Sequence, residues 1–144
     1  MPAPDPGRID QLLESFNHRA RIAQTFGMTL RFDEAGRAII EMPYKRELDH
    51  ALGGIHGGVM MTLLDSAGWF AVAAQHDCGC WVATSDLTVH LLRPSTGVPL
   101  KVVGEVIRTG KRQGVAEARI YEPDGKLAAH GVGTYVVLPD LPLG

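Results

Sequence analysis

Apolar side chains at Ile9, Leu12, Leu13, Phe16, Ile22 and Phe26 recur at the three-to-four spacing of one helix face, and Gly27 stands where such a helix would stop. The spacing predicts a helix over residues 8–26, broken near Asn17. Residues 28–32 and 37–42 then read as the two strands of a hairpin around Asp33-Glu34-Ala35-Gly36, closed by Pro43. Residues 44–54 have no period and mix charge with glycine, so they form a loop that leads straight into a helix beginning at His56 or Gly57. Beyond that helix residues 81–92 alternate: Trp81, Ala83, Leu87, Val89 and Leu91 fall on one face, Thr84, Asp86, Thr88 and His90 on the other. Strands follow over residues 100–108, 113–121 and 126–138, with turns at Thr109-Gly110-Lys111-Arg112 and Glu122-Pro123-Asp124-Gly125. The order of one helix, two strands, a central helix and four strands calls for an α+β fold in which an antiparallel sheet holds one helix.

Length and charge narrow the function. A chain of 144 residues is the size of one domain, which we place over residues 8–140 behind a flexible polar leader over residues 1–7. The leader has neither the basic stretch nor the apolar run of a secretory signal, so the cytosol is the expected compartment. A net charge of -2 offers no basic face for nucleic acid or an anionic membrane. The longest apolar run, residues 59–74, is interrupted by Thr62, Asp65, Ser66 and Gly68 and falls short of the roughly 20 residues of a membrane span. Cys78 and Cys80 are too few and too close for a disulfide framework, which fits a reducing compartment. With His76 they suggest metal ligands, but zinc sites draw on two separated pairs and no second pair is present, so no metal is expected.

The central helix carries the candidate chemistry. Between Gly57 and Gln75 the single charged residue is Asp65, on a segment apolar nearly all round. A helix of that kind is covered on most sides, and a desolvated carboxylate there costs several kcal/mol unless it is partnered or protonated. Asp65 is therefore either turned to water or to a neighbouring chain's backbone, or a catalytic carboxylate with a tuned pKa. At the helix start, Gly57 and Gly58 either make a tight turn or let a ligand reach backbone N–H groups at the positive end of the helix dipole, a setting for a developing oxyanion. Eight residues along one helix separate Gly57 from Asp65 by about 12 Å. They address one carbonyl only if two subunits share the site, as a symmetric dimer permits.

The run Gly54-Ile55-His56-Gly57-Gly58-Val59-Met60-Met61-Thr62-Leu63-Leu64-Asp65-Ser66-Ala67 resembles the signature of hotdog-fold acyl-CoA thioesterases of the phenylacetate-degradation (PaaI-like) type. The resemblance extends over residues 20–138, taking in Thr84-Ser85-Asp86-Leu87-Thr88-Val89 and Leu92-Arg93-Pro94. It implies a curved antiparallel sheet wrapped around the central helix, homodimers joined edge to edge and paired into homotetramers, and active sites between protomers. It further implies that the Gly57 N–H polarises the thioester carbonyl, that Asp65 of the partner subunit is nucleophile or general base, and that Thr84 positions the water or the carboxylate. The alternative for Thr84 is an ordinary strand threonine. His56 and Gly58 belong to the motif, His56 orienting either the substrate or the turn. Where many relatives place an Asn or Gln that donates to the carbonyl, this chain has His50. Its imidazole either takes over that bond, from the correct tautomer or when protonated, or faces solvent.

Arg93, Lys111 and Arg112, at strand ends and turns, either hold the phosphates of CoA or are solvated. Trp69, Phe70, Met60 and Met61 line an acyl pocket or fill the core. The reading is hydrolysis of a small aryl- or medium-chain acyl-CoA to free acid and CoA, without metal or organic cofactor. The alternatives are a protein that binds or senses acyl-CoA without turnover, and a hotdog dehydratase or hydratase. A DNA-binding regulator is disfavoured, since the residues before Met28 are too few for a helix-turn-helix domain.

Overall fold

The computed structural model describes residues 2–76 and 79–144. Helix α1 spans Pro6–Glu14; it starts earlier than the expected boundary because Asp5 accepts the Arg8 N–H at 2.9 Å and Pro6 opens the first turn. A π-helical turn over Ser15–Arg19 precedes α2 (Arg21–Phe26), which stops at Gly27 with φ 74°. The break near Asn17 has a cause: its amide exchanges two hydrogen bonds with the backbone of Leu30, 3.0 and 2.8 Å, and so docks the helical segment on the first strand.

The remaining elements are β1 (Thr29–Phe32), β2 (Ala38–Met42), a short 3₁₀ turn (Arg46–Leu48), α3 (Gly57–Ala73), β3 (Cys80–Leu91), β4 (Leu100–Thr109), β5 (Gln113–Tyr121) and β6 (Leu127–Pro142). The six strands form one antiparallel sheet in the order β1-β2-β4-β5-β6-β3, curved around α3, which is the hotdog arrangement. Among the described residues no helix is long and apolar enough to cross a membrane. Arg8, almost fully buried, donates to the Ala73 and Cys80 carbonyls and so ties α1 to the end of α3. Cys80 is disulfide-bonded, a linkage that the spacing of the cysteines did not suggest. Cys78 lies outside the described residues.

The sheet floor beneath α3 is built of small residues: Gly104 on β4, Gly114, Ala116 and Ala118 on β5, Ala129, Gly131 and Gly133 on β6. An apolar helix can therefore sit close to the strands, burying Leu63, Leu64, Ala67, Phe70 and Val72 at roughly 1.5–3 kcal/mol for each large side chain. Met60 and Phe70 belong to this core, whereas Met61 is substantially exposed.

One strand face differs from the alternation pattern. Val82 and Thr84, not Trp81 and Ala83, share the helix side with Leu87, Val89 and Leu91, because Ser85 is an extra residue between the pairs Thr84↔Tyr135 and Asp86↔Thr134. A bulge of one residue exchanges the faces on one side of it.

The close approach at Gly104 is testable. A Cβ there would collide with the Ala67 carbonyl of α3, which is backbone and cannot rotate away. Gly104→Ala should lose about 1–3 kcal/mol in denaturant unfolding, while Gly110→Ala, whose nearest neighbour would be 3.8 Å away, should change stability little.

Candidate active site

Asp65 projects from the middle of α3 and accepts a 2.8 Å hydrogen bond from the Thr84 hydroxyl on β3. Its backbone carbonyl accepts a second bond, 3.2 Å, from the Tyr135 hydroxyl. The Ser85 bulge is what brings Thr84 to the helix side, so the alternation that seemed to point Thr84 away from the apolar face is corrected here. Burial raises the Asp65 carboxyl above the ordinary carboxylate range, and the Thr84 hydrogen bond draws it back. The pair opens toward the outer edge of β3, the last strand of the sheet, where Thr84 is exposed. One turn further along α3, the Trp69 indole donates 2.6 Å to the Val82 carbonyl and its ring lies 5.1 Å from that of Trp81.

The second half of the site lies at the start of α3. His56 is the N-cap, and its Nδ1 accepts the Gly58 N–H at 2.8 Å. Val59 and Met60 donate to the His56 carbonyl. The Gly57 N–H has no partner among the described residues, so the cap uses Gly58 and leaves Gly57 available at the positive end of the helix. A Cβ on Gly57 would come within 2.9 Å of the Leu91 Cδ1, the far end of an exposed side chain that can turn aside, so packing alone does not require the glycine.

The loop before the helix folds back on itself: His50 N–H donates to the Gly54 carbonyl at 2.8 Å and Gly53, at φ 87°, donates to the His50 carbonyl. His50 Nδ1 accepts the Leu52 N–H at 3.1 Å, so in the neutral ring the proton sits on Nε2. That nitrogen lies over Gly54, 2.8 Å from where a Cβ would be. His50 is exposed in the isolated chain.

The basic residues divide. Arg93 is paired with Glu122 at 2.9 Å, which offsets the charge expected to meet a phosphate. Lys111 and Arg112 sit exposed in the β4–β5 turn and make no ion pair among the described residues. Tyr135 and the Ser85 bulge were not found from the sequence. The run of small inward residues before Tyr135 was the one signal that could have shown a large side chain crossing to the helix. Among the described residues no cluster of three His, Cys, Asp or Glu could hold a metal; the His76 ring is 3.0 Å from the Thr109 hydroxyl.

Residues 52–129 match the thioesterase superfamily. A Saccharolobus solfataricus chain, whose name places it provisionally among esterases, is 35% identical over 105 residues, 73% of this chain and 74% of that one. A Bacillus halodurans protein solved with CoA superposes with a TM-score of 0.78 at 30% identity, covering 91% of this chain and 88% of that one. The Escherichia coli PaaI protein of the phenylacetic acid degradation operon shares the fold, with a TM-score of 0.81 at 22% identity, covering 92% and 94%. Sheet, helix and relatives together define a hotdog-fold protein. The chain belongs to the thioesterase superfamily and is a thioester hydrolase.

The raised Asp65 carboxyl has a consequence for stability. A carboxyl whose pKa is higher folded than unfolded holds its proton more tightly in the native state. Its contribution to stability is thus complete below the unfolded value and is lost as pH rises through the folded one. At neutral pH the ionised Asp65 is therefore destabilising. Asp65→Asn should melt above the unsubstituted chain at about pH 7, with the gap closing below about pH 4. Thermal melts across that range measure this, and a gap of constant size would contradict it.

Proposed function

We propose that this protein hydrolyses a small aryl- or medium-chain acyl-CoA to the free acid and CoA. The observation that carries the reading is the pairing of one hydroxyl-bonded carboxylate, Asp65 with Thr84, with one helix-initiating amide, Gly57, that its own cap leaves free. In the proposed reaction the Gly57 N–H and His50 Nε2–H donate to the thioester oxygen as charge develops on it. His56 and Gly58 shape the turn that presents this amide. The carboxylate either takes a proton from the attacking water and passes it to the departing CoA thiolate, or itself attacks the carbonyl and expels the thiolate, leaving a mixed anhydride that water hydrolyses to the free acid and the restored carboxylate.

The two halves belong to one helix and are about 12 Å apart along it, so the proposed site joins Gly57 of one protomer to Asp65 of the partner subunit. Three features support a homodimer. The edge of β3 has no strand beyond it, Leu52, Leu91, Leu92 and Met61 are exposed around the helix start, and each half-site is incomplete alone. Homodimers pairing into homotetramers, and a cytosolic location, are part of the same proposal. Lys111 and Arg112, with Arg93 once released from Glu122, are the proposed phosphate contacts. The solved Bacillus halodurans relative holds CoA, which supports this ligand.

Thiol release from short, medium, long and aromatic acyl-CoAs tests the reading. Turnover is expected for at least one class, and Asp65→Ala should lower kcat by about 10²–10⁴ while the chain remains folded. Tight binding of the acyl-CoA with no thiol released across the panel would instead establish a binding or sensing protein. Sedimentation at micromolar concentration should find a dimer or tetramer, and a monomer would remove the shared site.

A further inference from the structure

Tyr135 stands on the helix side of β6 with no exposed surface. Its ring passes through a gap between two glycines. A Cβ on Gly133 would lie 2.6 Å from the phenol oxygen, and a Cβ on Gly68 of α3 would fall on that same oxygen. At the end of this passage the hydroxyl donates to the Asp65 backbone carbonyl at 3.2 Å. Tyr135 is also the cross-strand partner of Thr84, whose hydroxyl donates to the Asp65 carboxylate. One residue thus touches the carboxylate's own peptide through its side chain and the carboxylate's hydroxyl partner through its backbone.

A carbonyl in mid-helix already accepts from the amide four residues on. The phenol is not needed to satisfy it. What the phenol adds is a fixed separation between this turn of α3 and the strand that carries Thr84. The edge side of the same turn is held by Trp69 on the Val82 carbonyl, so the Asp65–Trp69 turn is anchored at the edge of the sheet and again in its interior. Burial and the nearby Asp65 and Asp86 charges raise the phenol's pKa and so favour its protonated, donating form.

We infer that Tyr135 is a positioning residue for the hydrolysis: its hydroxyl sets the height of the Asp65 turn above the sheet at which the carboxylate meets Thr84. The inference rests on the proposed role of Asp65 as the catalytic carboxylate. Tyr135 itself touches no substrate. Its loss would leave binding intact and displace the carboxylate, and a displacement of about 1 Å can cost up to about 10²-fold in rate.

The experiment compares Tyr135→Phe, Thr84→Val, the double variant and Asp65→Asn in thiol release from the best acyl-CoA of the panel, across pH. Tyr135→Phe should lose about tenfold in kcat with KM changed by less than about twofold, as expected for a misplaced reacting group. The acid limb of its kcat/KM profile should move to higher pH, because the weakened Thr84 bond no longer draws the carboxyl down. On the Thr84→Val background the same substitution should change kcat by less than about twofold, since the bond it protects is already absent. Gly133→Ala, which crowds the phenol while keeping it, should reproduce the loss in kcat and the shifted limb, and it stands in if Tyr135→Phe does not fold.

A kcat and acid limb equal to those of the unsubstituted protein in either folded variant, whatever its Tm, overturns the inference, as do fully additive effects with Thr84→Val. Asp65→Asn separates the two levels. If it is inactive while Tyr135→Phe is normal, the positioning role fails and the catalytic assignment stands. If Asp65→Asn turns over normally, the catalytic assignment itself fails, and the positioning role with it.

Discussion

The structure turns on holding one carboxylate halfway along a helix that has no other charge. Asp65 needs the apolar surroundings that raise its pKa, yet a carboxylate stripped of water with no partner costs several kcal/mol. The chain resolves this with a neutral partner. Thr84 gives a hydrogen bond without an opposing charge, so the group is stabilised as an anion while remaining basic. A lysine or arginine in that place would hold the carboxylate ionised and depress its basicity. Everything near Asp65 follows from that choice: small residues under α3 bring the helix down to the strands, and the bulge at Ser85 turns Thr84 inward to meet it.

The small-residue floor also explains how the helix can be both buried and specific in its placement. Gly104, Gly114 and Gly133 leave out side chains on the helix side of the sheet, and each allows one definite neighbour to enter, Ala67, Val72 and Tyr135 respectively. A floor of larger residues would lift the helix. Thr84 would then reach Asp65 at a different angle or not at all. Packing and chemistry are thus the same constraint in this region, since the contacts that stabilise α3 also fix the geometry of the carboxylate.

Much of this was legible in the chain. Helical spacing and two-residue alternation located each described strand to within a few residues, and Asp65 stands out in the sequence as the lone charge on an apolar helix. The side of β3 on which Thr84 lies was not legible, because one extra residue inverts the faces and alternation cannot register an insertion of one. Tyr135 was invisible for a different reason: its partner is a backbone oxygen, and the space it occupies is made by glycines on two elements far apart in sequence. The ion pair of Arg93 with Glu122 was equally out of reach. It joins the end of β3 to the β5–β6 turn, and the two meet only when β3 pairs with β6.

A histidine at position 50 can take the carbonyl-donating role proposed for it as an amide would. An asparagine offers its N–H in either protonation state of its surroundings, whereas an imidazole must choose which nitrogen carries the proton. In this loop the choice is made locally, because the Leu52 amide occupies Nδ1 as a donor and leaves the proton on Nε2. His56 is set in the same way by Gly58. In its neutral form each ring therefore carries its proton at Nε2, held in that tautomer by backbone rather than by charge. Protonation of either would place a hydrogen on Nδ1 against an amide that also donates, disrupting the turn that presents Gly57. In the proposed reaction the neutral ring suits this loop because it offers an uncharged N–H to the carbonyl while its other nitrogen closes the turn.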